Sequence, residues 1–251
     1  MWNGSTRLML GLIAAVTLLS GCATAEKRNP DDPLEPSNRS FHNFNDSLDR
    51  NIMVPVARGY RKVVSAPVRQ GVTNFFDNVA YLNVIANDLM QGKVGRFFSD
   101  STRFVVNSTI GLGGLLDPAT LMGLQKGDED LGQTLGVWGA GEGAYLVIPL
   151  FGPSSVRDVP DLALSRFLNP LTYFAMPISL PFTVLDTIND RANLLETTEL
   201  VEEAALDPYS YIREAYRQRR EYLIYDGNPP LGDLDELFED EEEPGGVLRV
   251  E

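Results

Sequence analysis

Apolar positions recur along this chain with a helical period. Leu34, Phe41, Phe44, Leu48 and Ile52 follow one another at spacings of seven, three, four and four, so they share one helical stripe opposite Arg39, Asn43 and Asp46. Asp32 as N-cap, Pro33 at the first helical position and Glu35 at the third supply a start signal for that helix. Asp207 and Pro208 repeat the signal near the other end. The helix predicted behind them carries Ile212, Tyr216 and Leu223 on one side and Arg213, Arg217 and Arg220 on another. Between these ends the pattern predicts helices over 72–90, 94–110, 181–189 and 192–205. Long two-residue alternation and internal repeats are missing from the sequence, so the expected fold class is all-α.

Three stretches depart from the amphipathic pattern. Residues 104–116 and 131–156 are apolar, rich in glycine and carry one charge between them, Glu142, while 167–185 carries none. The third is long enough to suggest a membrane span, but Pro170, Pro177 and Pro181 interrupt it and argue against a straight one. A helix of about ten residues covers roughly 15 Å, half the hydrocarbon thickness of a bilayer, so pieces of this size suit one leaflet. Composition is equally compatible with the buried core of a soluble helical domain.

The start of the chain bears on the choice. A short positive beginning up to Arg7 and an uncharged apolar run from Leu8 to Leu19 read as a secretory signal peptide over 1–21, the run being shorter than the roughly 18 residues of a membrane span. Leu19-Ser20-Gly21-Cys22 resembles the bacterial lipobox, in which the cysteine sulfur is diacylated, the chain is cut before it and the new amino terminus is acylated too. Each buried methylene contributes roughly 0.8 kcal/mol, and several chains on one residue make a durable anchor. Cys22 is then the first mature residue and the lipidation site, and residues 22–31 are a tether. Ala23 stands where, by resemblance to Gram-negative lipoproteins, an aspartate would favour the inner membrane, which points to the outer membrane.

Charge and chemistry narrow the function further. The net charge of -14 is mostly a tail, since 226–251 holds ten acidic residues against the single Arg249. That segment reads as a disordered, solvated end that nucleic acid and anionic lipid would repel. The remaining 32–225 is near charge balance and of a size for one domain. With Cys22 acylated, no thiol is left for catalysis, and the single histidine, His42, makes a zinc site of the usual ligands improbable. The chain contains no G-x-S-x-G elbow, no phosphate-binding G-x-x-x-x-G-K-[ST] loop and no G-x-G-x-x-G fingerprint. No enzyme activity and no cofactor are expected.

The runs that remain carry a family resemblance. They are Asp32-Pro33-Leu34-Glu35, Asn38-Arg39, Asn43-Phe44-Asn45, Arg103-Phe104, Asn107-Ser108-Thr109-Ile110-Gly111 and Gly113-Gly114. Farther on come Gly132, Thr134-Leu135-Gly136, Gly139, Gly141, Gly143, Pro149, Gly152, Arg157-Asp158, Asp207-Pro208-Tyr209 and Arg213-Glu214-Ala215-Tyr216. In this order they resemble the MlaA/VacJ family of outer-membrane lipoproteins over nearly the whole mature domain. The resemblance implies a ring of amphipathic helices sunk in the inner leaflet around a lipid channel. It also implies removal of stray glycerophospholipid from the outer leaflet, delivery to a soluble periplasmic lipid carrier, and association with a trimeric outer-membrane porin. On this reading Gly139, Gly141 and Gly143 form close-approach backbone at the channel or a nearby turn, and Asn83, Asn87 and Asn107 are candidates for headgroup contact. Glycines in turns and asparagines capping helices would fit the same residues. Phe44 and Asn45, about 100° apart on the first helix, are candidates for gating. Two other functions remain: a structural lipoprotein that binds porin without moving lipid, and a lipid hydrolase.

Overall fold

The computed structural model describes residue 29 and residues 32–230, without the side chains of 199–204. The signal peptide, Cys22 and the acidic tail beyond 230 lie outside the described residues. Up to Glu35 the described chain is a turn, with Asp32 N donating to Asn29 O (3.0 Å) and Glu35 N to Asp32 O (3.2 Å). The first helix therefore begins two residues later than Pro33.

From Pro36 onward the elements are mostly helical. Helix α1 (Glu35–Leu48) runs through a π-helical turn (Asp49–Met53) into α2 (Val54–Val63), followed by α3 (Ala66–Met90) and α4 (Val94–Thr109). The short α5 (Pro118–Leu121) and α6 (Leu131–Val137) precede a hairpin of β1 (Tyr145–Ile148) and β2 (Gly152–Ser155). Helix α7 (Asp161–Leu168), a 3-10 turn (Pro170–Tyr173), α8 (Met176–Ala204) and α9 (Pro208–Ile224) complete it. Helix α3 is the hub, packing on α4, α6, α7 and α8, while α8 also packs on α2, and α9 on α6 and β2.

Two sequence expectations change. The helices expected over 181–189 and 192–205 are one helix, α8, which passes through Pro181. Pro177 lies in the first turn, where no donor is required, and Pro181 removes a single ladder bond from a helix of 29 residues. The all-α expectation gains an antiparallel hairpin, pairing Tyr145 with Ser155 and Ile148 with Gly152. Strands of four residues are too short to leave a legible alternation.

The interior is largely polar, and many large apolar side chains are exposed. Buried positions include Asn38, Asn78, Asn87, Asp88, Asp100, Arg103, Gln133 and Asn189, whereas Phe98, Leu121, Phe151, Phe167 and Met176 are exposed. Apolar packing among the described residues is in small groups, one around Ala57, Ala192 and Leu195, one around Tyr145, Val147 and Tyr209, and a ring cluster of Phe75, Phe76 and Phe182. The stripe expected to dock α1 is accordingly turned outward in part, with Phe44 and Ile52 each 52% exposed, and only Phe41 packs on the tyrosine group. Asn38, 2% exposed, takes the inward place. Periodicity had identified a shared face correctly but not its direction. Among the described residues no helix is long and apolar enough to cross a membrane.

Candidate functional site

Helix α1 meets the hairpin through two asparagines seven residues apart, two turns along one face. Asn38 Nδ2 donates to Tyr145 O (2.9 Å) and its Oδ1 accepts from Val147 N (2.9 Å), as a neighbouring strand would. Asn45 repeats the device, donating to Ile148 O (3.0 Å) and accepting from Leu150 N (2.8 Å). Leu150 needs that support, because its φ of 71° lies in the left-handed region. Such a position in a non-glycine residue costs about 1–3 kcal/mol and tends to mark functional segments. It stands third in the turn closed by Phe151 N to Ile148 O (3.2 Å).

Beneath this turn lies a cavity of about 400 Å³, between α1, the π-helical turn, the hairpin tip and α8. Leu48, Met53, Leu150, Phe151 and Leu194 make its walls mainly apolar, and Asn45 and Thr187 add neutral polar groups. Among the described residues its charged lining residues are Asp49 and Arg191. They form a two-pronged ion pair, Nε to Oδ1 and Nη2 to Oδ2 both at 2.7 Å. Arg191 Nη1 also reaches Thr198 Oγ1 at 3.3 Å. Asp49 opens the π-helical turn, a distortion often found at functional sites. Leu150 and Phe151, 68% and 70% exposed, form an apolar rim.

Of the candidate channel and gating residues named from the sequence, only Asn45 lines this cavity, and Phe44 is exposed beside it. Asn83 donates to Asp161 Oδ1 (3.1 Å). Asn87 is fully buried, donating to Asn83 O (2.8 Å) and accepting from Thr134 Oγ1 (2.7 Å), so it locks α3 to α6 and presents no open face to a headgroup. Asn107 bonds Asp117 Oδ1 and Ala119 N, and lines a polar pocket of about 30 Å³ that has room for water and not for a headgroup. In the α6–β1 loop, Gly139 and Gly143 have φ of 91° and 71°, and a Cβ on Gly143 would meet Val156 Cβ at 2.9 Å. Gly141 faces open space. His42 rests edge-on against Tyr209, and burial lowers its pKa.

Sequence reasoning gave no site role to Asn38, Asp49, Leu150 or Arg191. The seven-residue spacing of Asn38 and Asn45 was an available signal, whereas nothing in the sequence connects Asp49 with Arg191. It also placed the arginines of α9 apart from its packing side, yet Arg220 docks that helix, bonding Asp130 Oδ1 (2.8 Å) and Asp158 Oδ1 (3.2 Å). Those carboxylates push the guanidinium pKa upward against its burial. Past the end of α9, Asp226 receives a bond from Lys93 and Asn228 N donates to Tyr225 O (2.9 Å), so ordered contacts run three residues past the expected domain boundary.

Polar groups bonded inside and apolar groups turned outward define a helical protein of the lipid interface. Comparison with known proteins makes the class specific. The family model for the MlaA lipoprotein matches residues 30–223, and the chain belongs to that family. It is 35% identical over 228 residues to the intermembrane phospholipid transport system lipoprotein MlaA of Escherichia coli (strain K12), covering 88% of this chain and 90% of that one. The protein of the same name from Haemophilus influenzae is 29% identical over 231 residues, covering 88% and 92%. A solved structure described as the structural basis for maintenance of bacterial outer membrane lipid asymmetry matches with a TM-score of 0.68 and 33% identity, over 77% of this chain and 98% of that one.

Proposed function

We propose that this protein is an outer-membrane lipoprotein, anchored through Cys22 at the periplasmic face, that removes mislocalised glycerophospholipids from the outer leaflet. Lipid passes an amphipathic channel to a soluble periplasmic carrier, and a trimeric porin is the partner in the membrane. The observation that carries this reading is the inverted interior: bonded polar side chains inside and exposed large apolar side chains outside. Such a domain offers chain-compatible and headgroup-compatible surface together, which a lipid conduit requires, because an unpaired charge in an apolar medium is expensive. The phospholipid transport named for its relatives supports the same reading. The chain is not an enzyme on this account; it conducts, and the direction of flow is imposed by other components.

Outer-leaflet phospholipid measured in wild-type and deletion cells tests it. Accumulation in the deletion strain is the expected result. Normal asymmetry would leave only a porin-binding role, and lysophospholipid or free fatty acid released from liposomes by the purified protein would indicate a hydrolase.

A further inference from the structure

We infer that the Asp49–Arg191 pair is a headgroup site for zwitterionic glycerophospholipid bearing a primary ammonium, of the ethanolamine class. The inference rests on the lipid-transport reading and names the substrate class for it. The cavity is within the roughly 300–1,000 Å³ of ligand pockets, and among the described lining residues the pair carries the only full charges on an otherwise neutral, mainly apolar wall. A carboxylate and a guanidinium set among leucine, methionine and phenylalanine side chains are poorly justified by stability, since apolar residues of similar volume commonly serve as well or better. Their value lies in what they can recognise.

The pair is neutral overall and has a fixed polarity. A phosphate placed against the Arg191 guanidinium leaves a neighbouring ammonium within reach of Asp49, so the four charges alternate and each one is compensated. With Nε and Nη2 held by Asp49 and Nη1 on Thr198, a phosphate engages the guanidinium as a charge beside an existing pair and not through the fork. An anionic headgroup such as glycerol phosphate satisfies Arg191 but supplies no cation for Asp49, which must then share its partner with a second anion. A quaternary ammonium has no N–H to donate to the carboxylate, and Phe151 is the only aromatic side chain on the wall, so the cage that such cations favour is missing among the lining residues. The exposed Leu150, Phe151 and Leu194 give acyl chains an apolar path away from the charges. The strained backbone of Leu150 is what sets one of those side chains at the rim.

The test uses the full lipidated chain in nonionic detergent. It is mixed with micelles holding equal amounts of phosphatidylethanolamine, phosphatidylglycerol and phosphatidylcholine with identical acyl chains, and co-purified lipid is quantified by mass spectrometry. Wild-type protein should enrich phosphatidylethanolamine about tenfold over either competitor, the scale of one hydrogen bond to a charged group. Asp49→Asn should abolish that preference. Thr187→Lys, on the same wall but outside the pair, should move the preference toward phosphatidylglycerol, and it serves if Asp49→Asn fails to fold. Wild-type lipid in the input ratio, or a ratio unmoved by either folded variant, overturns the headgroup assignment while leaving transport intact. If no phospholipid co-purifies with the wild-type protein, the transport reading itself fails.

Discussion

At the scale of residues, a carboxamide side chain carries the same donor and acceptor as a peptide group, and Asn38 uses both against β1. Asn38→Leu removes them and leaves Tyr145 O and Val147 N buried without those partners. The expected loss is about 2–6 kcal/mol, from two unsatisfied groups at roughly 1–3 kcal/mol each, read as a lower unfolding midpoint in denaturant. Asn45→Ala should cost less, because the Leu150 amide it serves is more exposed. Asp88 gives a prediction of the opposite kind. Among the described residues no N–H reaches its carboxyl oxygens, and burial, helped by a hydrogen bond and repulsion from Asp100 and by Glu129, pushes its pKa up to about 7 against the opposing Lys93. The folded state therefore keeps a proton that the unfolded chain releases near pH 4. Across that window the native form binds more protons, so this residue's contribution to stability declines as pH rises from about 4 to 7. Thermal unfolding at pH 5 and pH 8 should show the decline, and Asp88→Asn should flatten it.

At the scale of elements, register decides what α1 can do. Deleting Phe44 and Asn45 rotates everything after them by about 200° relative to Asn38, which carries Asp49 away from Arg191 and strips Leu150 of its support. The expected outcome is an abundant, membrane-bound protein with defective gating, and outer-leaflet phospholipid that rises even beside a normal copy. Full rescue by the normal copy would refute the gating role. The elements also mark how far the sequence could be read. Helices α3, α4 and α9 were legible because start signals and a 3.6-residue period are local properties. The unbroken run of α8 through Pro181 was not, because packing against α2 and α3 outweighs one missing donor. The hairpin depends on amides of Asn38 and Asn45 more than a hundred residues away, a connection that no local pattern carries. Of the cavity only Asn45 was named among the sequence's site candidates, while its charged pair joins residues 142 positions apart.

At the scale of the whole molecule, attachment and passage can be separated. Cys22→Ser should abolish lipid attachment, and intact-mass analysis of the mature protein decides it, since an unmodified Cys22 thiol in the wild type defeats the anchor assignment. Gly141→Arg should leave abundance near normal, because nothing lies within 4 Å of an added Cβ there, and should raise outer-leaflet phospholipid if the α6–β1 loop borders the route. Degradation of the variant would instead make Gly141 a position required for folding. The inverted interior has a calorimetric consequence as well. The large heat-capacity increase of ordinary unfolding, roughly 12–15 cal/mol/K per residue, arises from apolar surface newly wetted, and newly wetted polar surface lowers it. Here much of the apolar surface is outside before unfolding begins, and many of the groups released are amides and carboxylates. For the domain unfolding in water the increment should be small and the stability curve correspondingly flat, so that cooling leaves its stability almost unchanged.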